Sequence, residues 1–290
     1  MPSPGRLYAI LARRSRLAVV FRRGPSRRVL LVAWDRADDS FKPGQELHGR
    51  IYERRCDLSP SGERLVYFAA KWGAPMGTWT AVSRPPWLTA LALWPKGDAW
   101  GGGGLFVDEN RIGLNHPEGQ RALGPGFRLP RRIVVEPIGP WAGRGEDEPI
   151  LYTRLMRDGW HIVQEGESRW AGLRAKSSFV VEPASIDARP SPRGRLVLEK
   201  TVRAIGERDG PWWVEEFALR DPESGALTDV GRLDWADWDR NGDLLFARGG
   251  RMYRWRVRPA DPDPSHAREI ADLREMRPRA QASPGSARRW

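Results

Sequence analysis

The sequence predicts an all-β fold, and three observations predict it. Apolar residues recur with period two or in runs of strand length, bounded by clusters of Gly, Pro, Asp and Asn. Sustained helical spacing is almost absent. One short phrase, an apolar residue followed by a turn with Gly and then an apolar strand, returns along the chain.

Strands are expected in chain order at Leu7–Leu11, Leu17–Phe21, Val29–Trp34, Arg64–Ala69, Thr78–Val82, Leu88–Leu93, Ile133–Glu136, Trp160–Gln164, Phe179–Glu182, Leu196–Thr201, Trp213–Leu219, Leu244–Ala247 and Met252–Val257. In the last of these Arg254 and Arg256 alternate with Trp255 and Val257, as on a half-exposed strand. Residues 266–276 read either as a short helix or as a strand through Ile270–Leu273.

The repeated phrase is clearest at Asp57-Leu58-Ser59-Pro60-Ser61-Gly62-Glu63-Arg64-Leu65-Val66-Tyr67-Phe68. It returns around Gly97, Gly159, Gly194 and Gly242, with a degenerate first copy at Leu11–Val20 that lacks the glycine. The glycines are 35, 62, 35 and 48 residues apart, against the roughly 40–50 residues of one propeller blade. Pro sets one φ of such a turn and Gly accepts a positive φ. A lone hairpin cannot bury its apolar faces, whereas several stacked around an axis can. The expected architecture is therefore a β-propeller of six blades of four antiparallel strands, with five or seven also compatible with the spacing. It spans residues 1–277 as one domain, its ring closed beside Met252–Val257 by Leu7–Leu11 or Ile270–Leu273. Residues 278–290 lack a core pattern and read as a loosely ordered tail held by Trp290.

The phrase at Asp57–Tyr67, with its looser copy at Asp239–Phe246, resembles the repeat of TolB-type β-propellers, in which Ser-Pro-Asp-Gly commonly precedes a strand. The resemblance implies a propeller fold and leaves function open, because such propellers host binding proteins, peptidase gates and lyases.

The 290-residue chain carries 15 Trp, 31 Gly, 25 Pro and one cysteine, Cys56, and a net charge of +11. One thiol excludes an intramolecular disulfide framework and a zinc site built on several cysteines. The start shows no secretory pattern, since Arg13, Arg14 and Arg16 interrupt the apolar stretch, and a cytoplasmic setting is expected. No run reaches the length of a membrane span, so no membrane partner is expected. Seven arginines (Arg13, Arg14, Arg16, Arg22, Arg23, Arg27 and Arg28) fall within sixteen residues, either as a solvated rim or as a face for an anionic polymer such as nucleic acid.

No catalytic constellation is evident. Asp237–Asp243 opens like a calcium loop, but its twelfth position is Arg248, so turn carboxylates capping their own backbone are expected and no metal site is assigned. His48, His116, His161 and His266 are not at ligand spacing, and His161 reads as a hydrogen-bonded strand residue. Gly101–Gly104 lacks the Lys-Ser/Thr of a phosphate loop and reads as a bend where strands approach closely. Cys56 reads as a small buried residue. Glu215 and Glu216 point to opposite faces, while Asp234 and Asp237 read as turn carboxylates. No cofactor is expected.

The expected role is a non-catalytic scaffold, a monomer or a member of a hetero-complex, offering loops and one face to another protein. Its contact residues are expected to be Trp72, Arg84, Trp87, Trp141, Arg144 and Trp212, since exposed Trp and Arg dominate interface hot spots. The alternatives are an anionic-polymer binder and a central-pocket enzyme acting on sugar or peptide.

Overall fold

A computed structural model describes residues 5–24, 27–73, 76–258, 262–278 and 282–290. The chain is nearly all β and divides into two compact units: unit 1 is Met1–Arg154 with Leu273–Trp290, and unit 2 is Leu155–Asp272.

Unit 1 holds three sheets of consecutive strands. The first is a meander of β1 (Arg6–Leu11), β2 (Leu17–Arg23), β3 (Arg28–Asp35) and β4 (Ser40–His48). The second comprises β5 (Arg50–Ile51), β6 (Asp57–Leu58), β7 (Leu65–Ala70), β8 (Thr78–Ser83) and β9 (Ala92–Pro95), with β5 and β6 both pairing β7. In the third, β10 (Gly104–Phe106) pairs antiparallel with β11 (Arg111–Leu114), which pairs parallel with β12 (Val134–Pro137). A helix, α1 (Ile150–Arg157), follows.

Unit 2 holds two sheets. One contains β13 (His161–Gln164), β14 (Ser168–Trp170), β15 (Ser177–Pro190), β16 (Val197–Glu207), β17 (Trp213–Arg220) and β18 (Leu227–Arg232). The other is a meander of β19 (Trp235–Trp238), β20 (Leu244–Arg248), β21 (Arg251–Trp255) and β22 (Arg268–Asp272).

The expected strands are largely present, because β-branched or aromatic runs are bounded by turns, several of them with a positive φ as at Asp39, Gly62 and Gly242. The count differs. The described residues form five sheets of four, five, three, six and four strands, not six of four. Gly97 follows β9 and Gly159 lies between α1 and β13, so neither opens a hairpin of the repeat. The turn after β10, Val107–Asn110, does so without any glycine. Expected strand 88–93 begins only at Ala92, because Leu88 spends its backbone N–H on the Gln45 side chain (2.7 Å). Of residues 266–276, Arg268–Asp272 form β22, which lies beside β21 as expected, whereas β1 pairs with β2 and none of the sheets of the described residues draws strands from both chain ends.

Within each unit the repeat turns lean on one another. In unit 1 the Arg14 N–H donates to Pro60 O (2.8 Å), and a Cβ on Gly62 would lie 2.7 Å from Leu17 Cβ. The Gly62 turn leans in its turn on the next. Ser61 donates its N–H (3.0 Å) and hydroxyl (2.7 Å) to the Glu109 carboxylate, and Arg64 Nη2 donates to the same group (2.8 Å). Burial raises the Glu109 pKa, but these donors outweigh it and hold the carboxyl below its ordinary range. The apolar faces between these turns make one core from the first two sheets, with Phe21, Leu31, Ile51 and Leu65 fully buried, and a second around Val66, Trp94, Phe106 and Ile112. Unit 2 has its own core around Leu198, Trp238, Leu244 and Trp255.

The C-terminal stretch belongs to unit 1. Arg22 donates to the carbonyls of Arg274 (3.2 Å) and Met276 (2.9 Å), Thr89 bonds Ser283 (2.8 Å), and Trp290 Nε1 donates to Leu91 O (3.2 Å).

Gly62 and Gly73 both have positive φ (82° and 88°), but nothing lies within 4 Å of a Cβ on Gly73. Gly73→Ala is expected to cost only backbone strain, about 1 kcal/mol. Gly62→Ala should cost at least about 1 kcal/mol more, because the methyl must displace a packed neighbouring turn. Urea unfolding midpoints of the two variants check the difference.

Candidate functional site

Chain direction gives unit 1 two ends. β7 leaves the Gly62 turn and ends at Ala70 at the opposite end, where residues 71–73, 76 and 77 lie and from which β8 returns. β9 and β12 finish at that same far end, where they emit residues 96–103 and 138–145. Three of the most exposed tryptophans lie there: Trp72 (59% exposed), Trp100 (65%) and Trp141 (62%).

The loops that carry them are tied together. The Gly101 N–H donates to Gly145 O (2.7 Å), joining the Trp100 loop to the Trp141 loop. Thr78 O accepts from the N–H groups of Lys96 (2.9 Å) and Gly97 (3.3 Å), joining the Trp100 approach to the strand after the Trp72 loop. The Arg144 guanidinium lies 5.1 Å from the centre of the Trp141 ring, a cation–π contact.

Beneath them sits Arg55, only 1% exposed, on a 3-10 turn (Glu53–Arg55) between β5 and β6. Its Nη1 donates to Ala99 O (2.6 Å) and Gly101 O (2.8 Å), the carbonyls on either side of Trp100. Its Nε donates to Asp147 Oδ1 (3.2 Å), and its plane faces the rings of Tyr52 (4.7 Å) and Phe68 (5.3 Å). One guanidinium therefore fixes the Trp100 loop and the segment after Trp141. The planar fork makes this work in a way an ammonium would not.

The glycine run between Trp100 and β10 is the bend the sequence suggests. A Cβ on Gly102 would fall 2.3 Å from the Phe68 ring and one on Gly103 2.2 Å from Arg55 O, and both residues have φ of 83°. Asn115 seals the bend: its carbonyl accepts from Gly102 N–H (2.6 Å), its N–H donates to Gly103 O (2.9 Å), and its Oδ1 accepts from Gly143 N–H (2.6 Å).

His116, fully buried, completes the platform. Its Nδ1 faces Gln120 O at 2.8 Å, and since a carbonyl only accepts, Nδ1 carries the proton. Nε2 then accepts from the Thr80 hydroxyl (2.8 Å), whose oxygen accepts from Gly103 N–H (2.8 Å). Burial dominates and lowers the His116 pKa to about 4.

The residues singled out in the sequence are divided. Trp72, Trp141 and Arg144 meet at this end of unit 1 and are exposed. Trp100 was missed as a contact residue, although its flanking glycines marked it. Trp87 is buried (8% exposed), correcting its expected exposure: the Gly/Pro-rich surroundings pack it inward, with a Cβ on Gly44 falling 1.9 Å from Pro86 O. Arg84 lies at the other end and is engaged, its Nε donating to Arg289 O (2.9 Å) and its Nη1 3.6 Å from Glu63. Trp212, half exposed, belongs to unit 2.

The N-terminal arginines do not share a face. β2, seven residues and about 23 Å long, separates Arg13–Arg16 from Arg22–Arg28. Arg13 donates to Phe106 O (2.9 Å), and Arg16 and Arg23 pair with Asp35 and Glu53 (both 2.8 Å). In unit 2 the Asp237–Asp243 carboxylates are taken by arginines: Arg189 holds Asp237, and Arg254 holds Asp239 (2.8 Å) and Asp243 (3.1 Å). Burial raises the Asp237 pKa against the opposing pull of Arg189. His161 is an exposed residue of edge strand β13, and its ring has no hydrogen-bond partner among the described residues, contrary to expectation. Cys56 is wholly buried with Sγ 3.1 Å from Tyr52 O, and burial pushes its thiol pKa far up. None of the described helices is long and apolar enough to cross a membrane.

No family model matches the sequence, and no curated protein matches it. Solved structures give distant likenesses. An uncharacterized protein from Listeria monocytogenes EGD-e is 9% identical at TM-score 0.24, over 94% of this chain and 55% of that one. A candidate 6-phosphogluconolactonase from Bacteroides fragilis is 10% identical at TM-score 0.34, over 92% and 94%. A prolyl endopeptidase is 9% identical at TM-score 0.24, over 92% and 36%. The chain thus spans about half of the first structure and a third of the last, and likeness at this level carries no argument about activity.

Two outcomes check this chemistry. His116 binds its proton in the unfolded chain near pH 6.5 but in the folded chain only near pH 4. Its contribution to stability is complete above pH 6.5, falls between pH 6.5 and 4, and is flat below. Urea unfolding from pH 7.5 to 4 should show a loss that His116→Gln reduces. Cys56 should resist a thiol reagent in the native protein and react at once in denaturant; equal rates would contradict its burial.

Proposed function

We propose that the sheets are blades of a β-propeller, similar in repeat to the TolB type, and that the chain is a non-catalytic binding protein whose tryptophan end in unit 1 docks a partner protein. The blade reading is supported by consecutive strands in each sheet and by repeat turns that lean on the turns of the next sheet, within unit 1 and within unit 2. Propeller blades bury their faces in this way.

One observation carries the binding reading: Trp72, Trp100 and Trp141 are each more than half exposed at one end of unit 1, where Arg55 holds the Trp100 loop and the segment after Trp141 from below. Large exposed aromatics on a preorganised support lose little entropy on docking, which is what interface anchors need. The ionisable groups under them are spent on one another. Arg55 is bonded to Asp147, Lys96 to Asp98 (2.6 Å), and both ring nitrogens of His116 are engaged. None of these described groups is left poised as nucleophile or base, which favours binding over catalysis.

A second reading has its own observation. Arg50, Lys71 and Arg144 at the same end have no carboxylate partner among the described residues, and bases of a single strand could stack on the indoles.

The test is a Trp72→Ala/Trp100→Ala/Trp141→Ala variant, which should keep the wild-type urea midpoint. Affinity capture from the native cell should recover a partner with wild type and lose it with the variant. An unchanged captured set would contradict the protein reading. Single-stranded oligonucleotide binding that falls steeply with salt and vanishes in the variant would select the second reading.

A further inference from the structure

In unit 2 two repeat turns lie side by side: residues 191–194 between β15 and β16, and residues 239–243 between β19 and β20. A Cβ on Gly242 would sit 3.1 Å from Arg193 Cβ and 3.8 Å from Ser191 Oγ. Between these turns and the outgoing end of β21 is a cavity of about 170 Å³. Trp238, buried, forms part of its wall, and Ser191, Arg193, Asn241, Asp243 and Arg256 carry its polar groups.

The charges around it do not cancel. Asp243 is spent, accepting from Arg254 Nη1 (3.1 Å) and Asn241 Nδ2 (2.8 Å). Arg256 Nε stands 3.9 Å from Asp243, a loose ion pair without a hydrogen bond, and its side chain is 87% exposed. Arg193 and the Ser191 hydroxyl have no hydrogen-bond or ion-pair partner among the described residues. Several other arginines of unit 2 are closely paired: Arg195 with Asp221 (2.9 Å), Arg203 with Glu216 (2.8 Å) and Arg251 with Glu269 (3.1 Å). An unpaired guanidinium, a second one only loosely paired and exposed, and a hydroxyl therefore border one concavity.

We propose that this cavity binds a small ligand through a phosphate monoester. A phosphate monoester is close to a dianion at neutral pH, so two guanidinium forks neutralise it, and its oxygens accept bidentate pairs of bonds from both forks and one further bond from the Ser191 hydroxyl. A carboxylate, a monoanion with two oxygens, would leave one fork unspent. The site stands apart from the tryptophan end of unit 1 and does not depend on what that end binds.

The test is calorimetric titration of the whole chain, at fixed ionic strength, with inorganic phosphate, O-phosphoserine and acetate. Both phosphates are expected to bind one to one and acetate at least tenfold more weakly. Arg193→Gln/Arg256→Gln should bind phosphate at least tenfold more weakly than wild type while unfolding at the same urea concentration, because both side chains are exposed. Arg240→Gln, which removes an exposed arginine of the same turn, should bind as wild type does. Phosphoserine tighter than phosphate would uphold the monoester, whereas equal or weaker binding of phosphoserine would assign free phosphate and overturn it. No heat with millimolar phosphate, undiminished binding by the double variant, or an equal loss in Arg240→Gln would overturn it.

Discussion

The tryptophan end depends on burying one permanent charge, the guanidinium of Arg55. An unpaired cation at 1% exposure would be prohibitively costly. Here the cost is met by two carbonyls, a carboxylate and two aromatic faces. That demand dictates what surrounds it. The Trp100 loop must turn both flanking carbonyls inward, which sends the indole outward. The backbone that follows must then pass so close to Phe68 and Arg55 that only glycine fits. Exposure of Trp100 is a consequence of satisfying Arg55 beneath it.

The same logic explains the polar chain through His116. Once the glycine bend is packed against the sheet, its N–H groups need partners without water. Asn115 takes Gly102, and Thr80 takes Gly103, but the Thr80 hydroxyl can accept only if its own proton goes elsewhere. His116 Nε2 receives it, and the opposite nitrogen is anchored on Gln120. Each group is satisfied once, which makes the bend stiff.

Much of the β architecture was legible in the sequence because it is written in local terms. The Leu65–Ala70 run after Ser-Pro-Ser-Gly, and the Leu244–Arg248 run after Asp-Arg-Asn-Gly-Asp, combine turn chemistry with strand propensity. In the third sheet β12 answers to the strand expected at Ile133–Glu136, whereas the β10–β11 hairpin escaped because its turn, Val107–Asn110, is stabilised by Asp108 accepting from the N–H groups of Asn110 (2.8 Å) and Arg111 (2.9 Å) in place of a glycine. Helix α1 escaped because eight residues behind a Pro/Gly-rich stretch give too few turns for a period. Long-range chemistry was illegible in principle. Nothing near Arg55 in the chain announces that its partners are 44 and 92 residues away. Trp87 shows the reverse failure, since Pro and Gly neighbours signal a turn without saying which side of it is packed.

Amide hydrogen exchange at the glycine bend tests this account most directly. Wild-type protein should protect the Gly101, Gly102 and Gly103 amides, whose partners are Gly145 O, Asn115 O and Thr80 Oγ1. Arg55→Lys, folded by circular dichroism, should release them. Amides that exchange freely in the wild type, or that stay protected without the Arg55 fork, would contradict it.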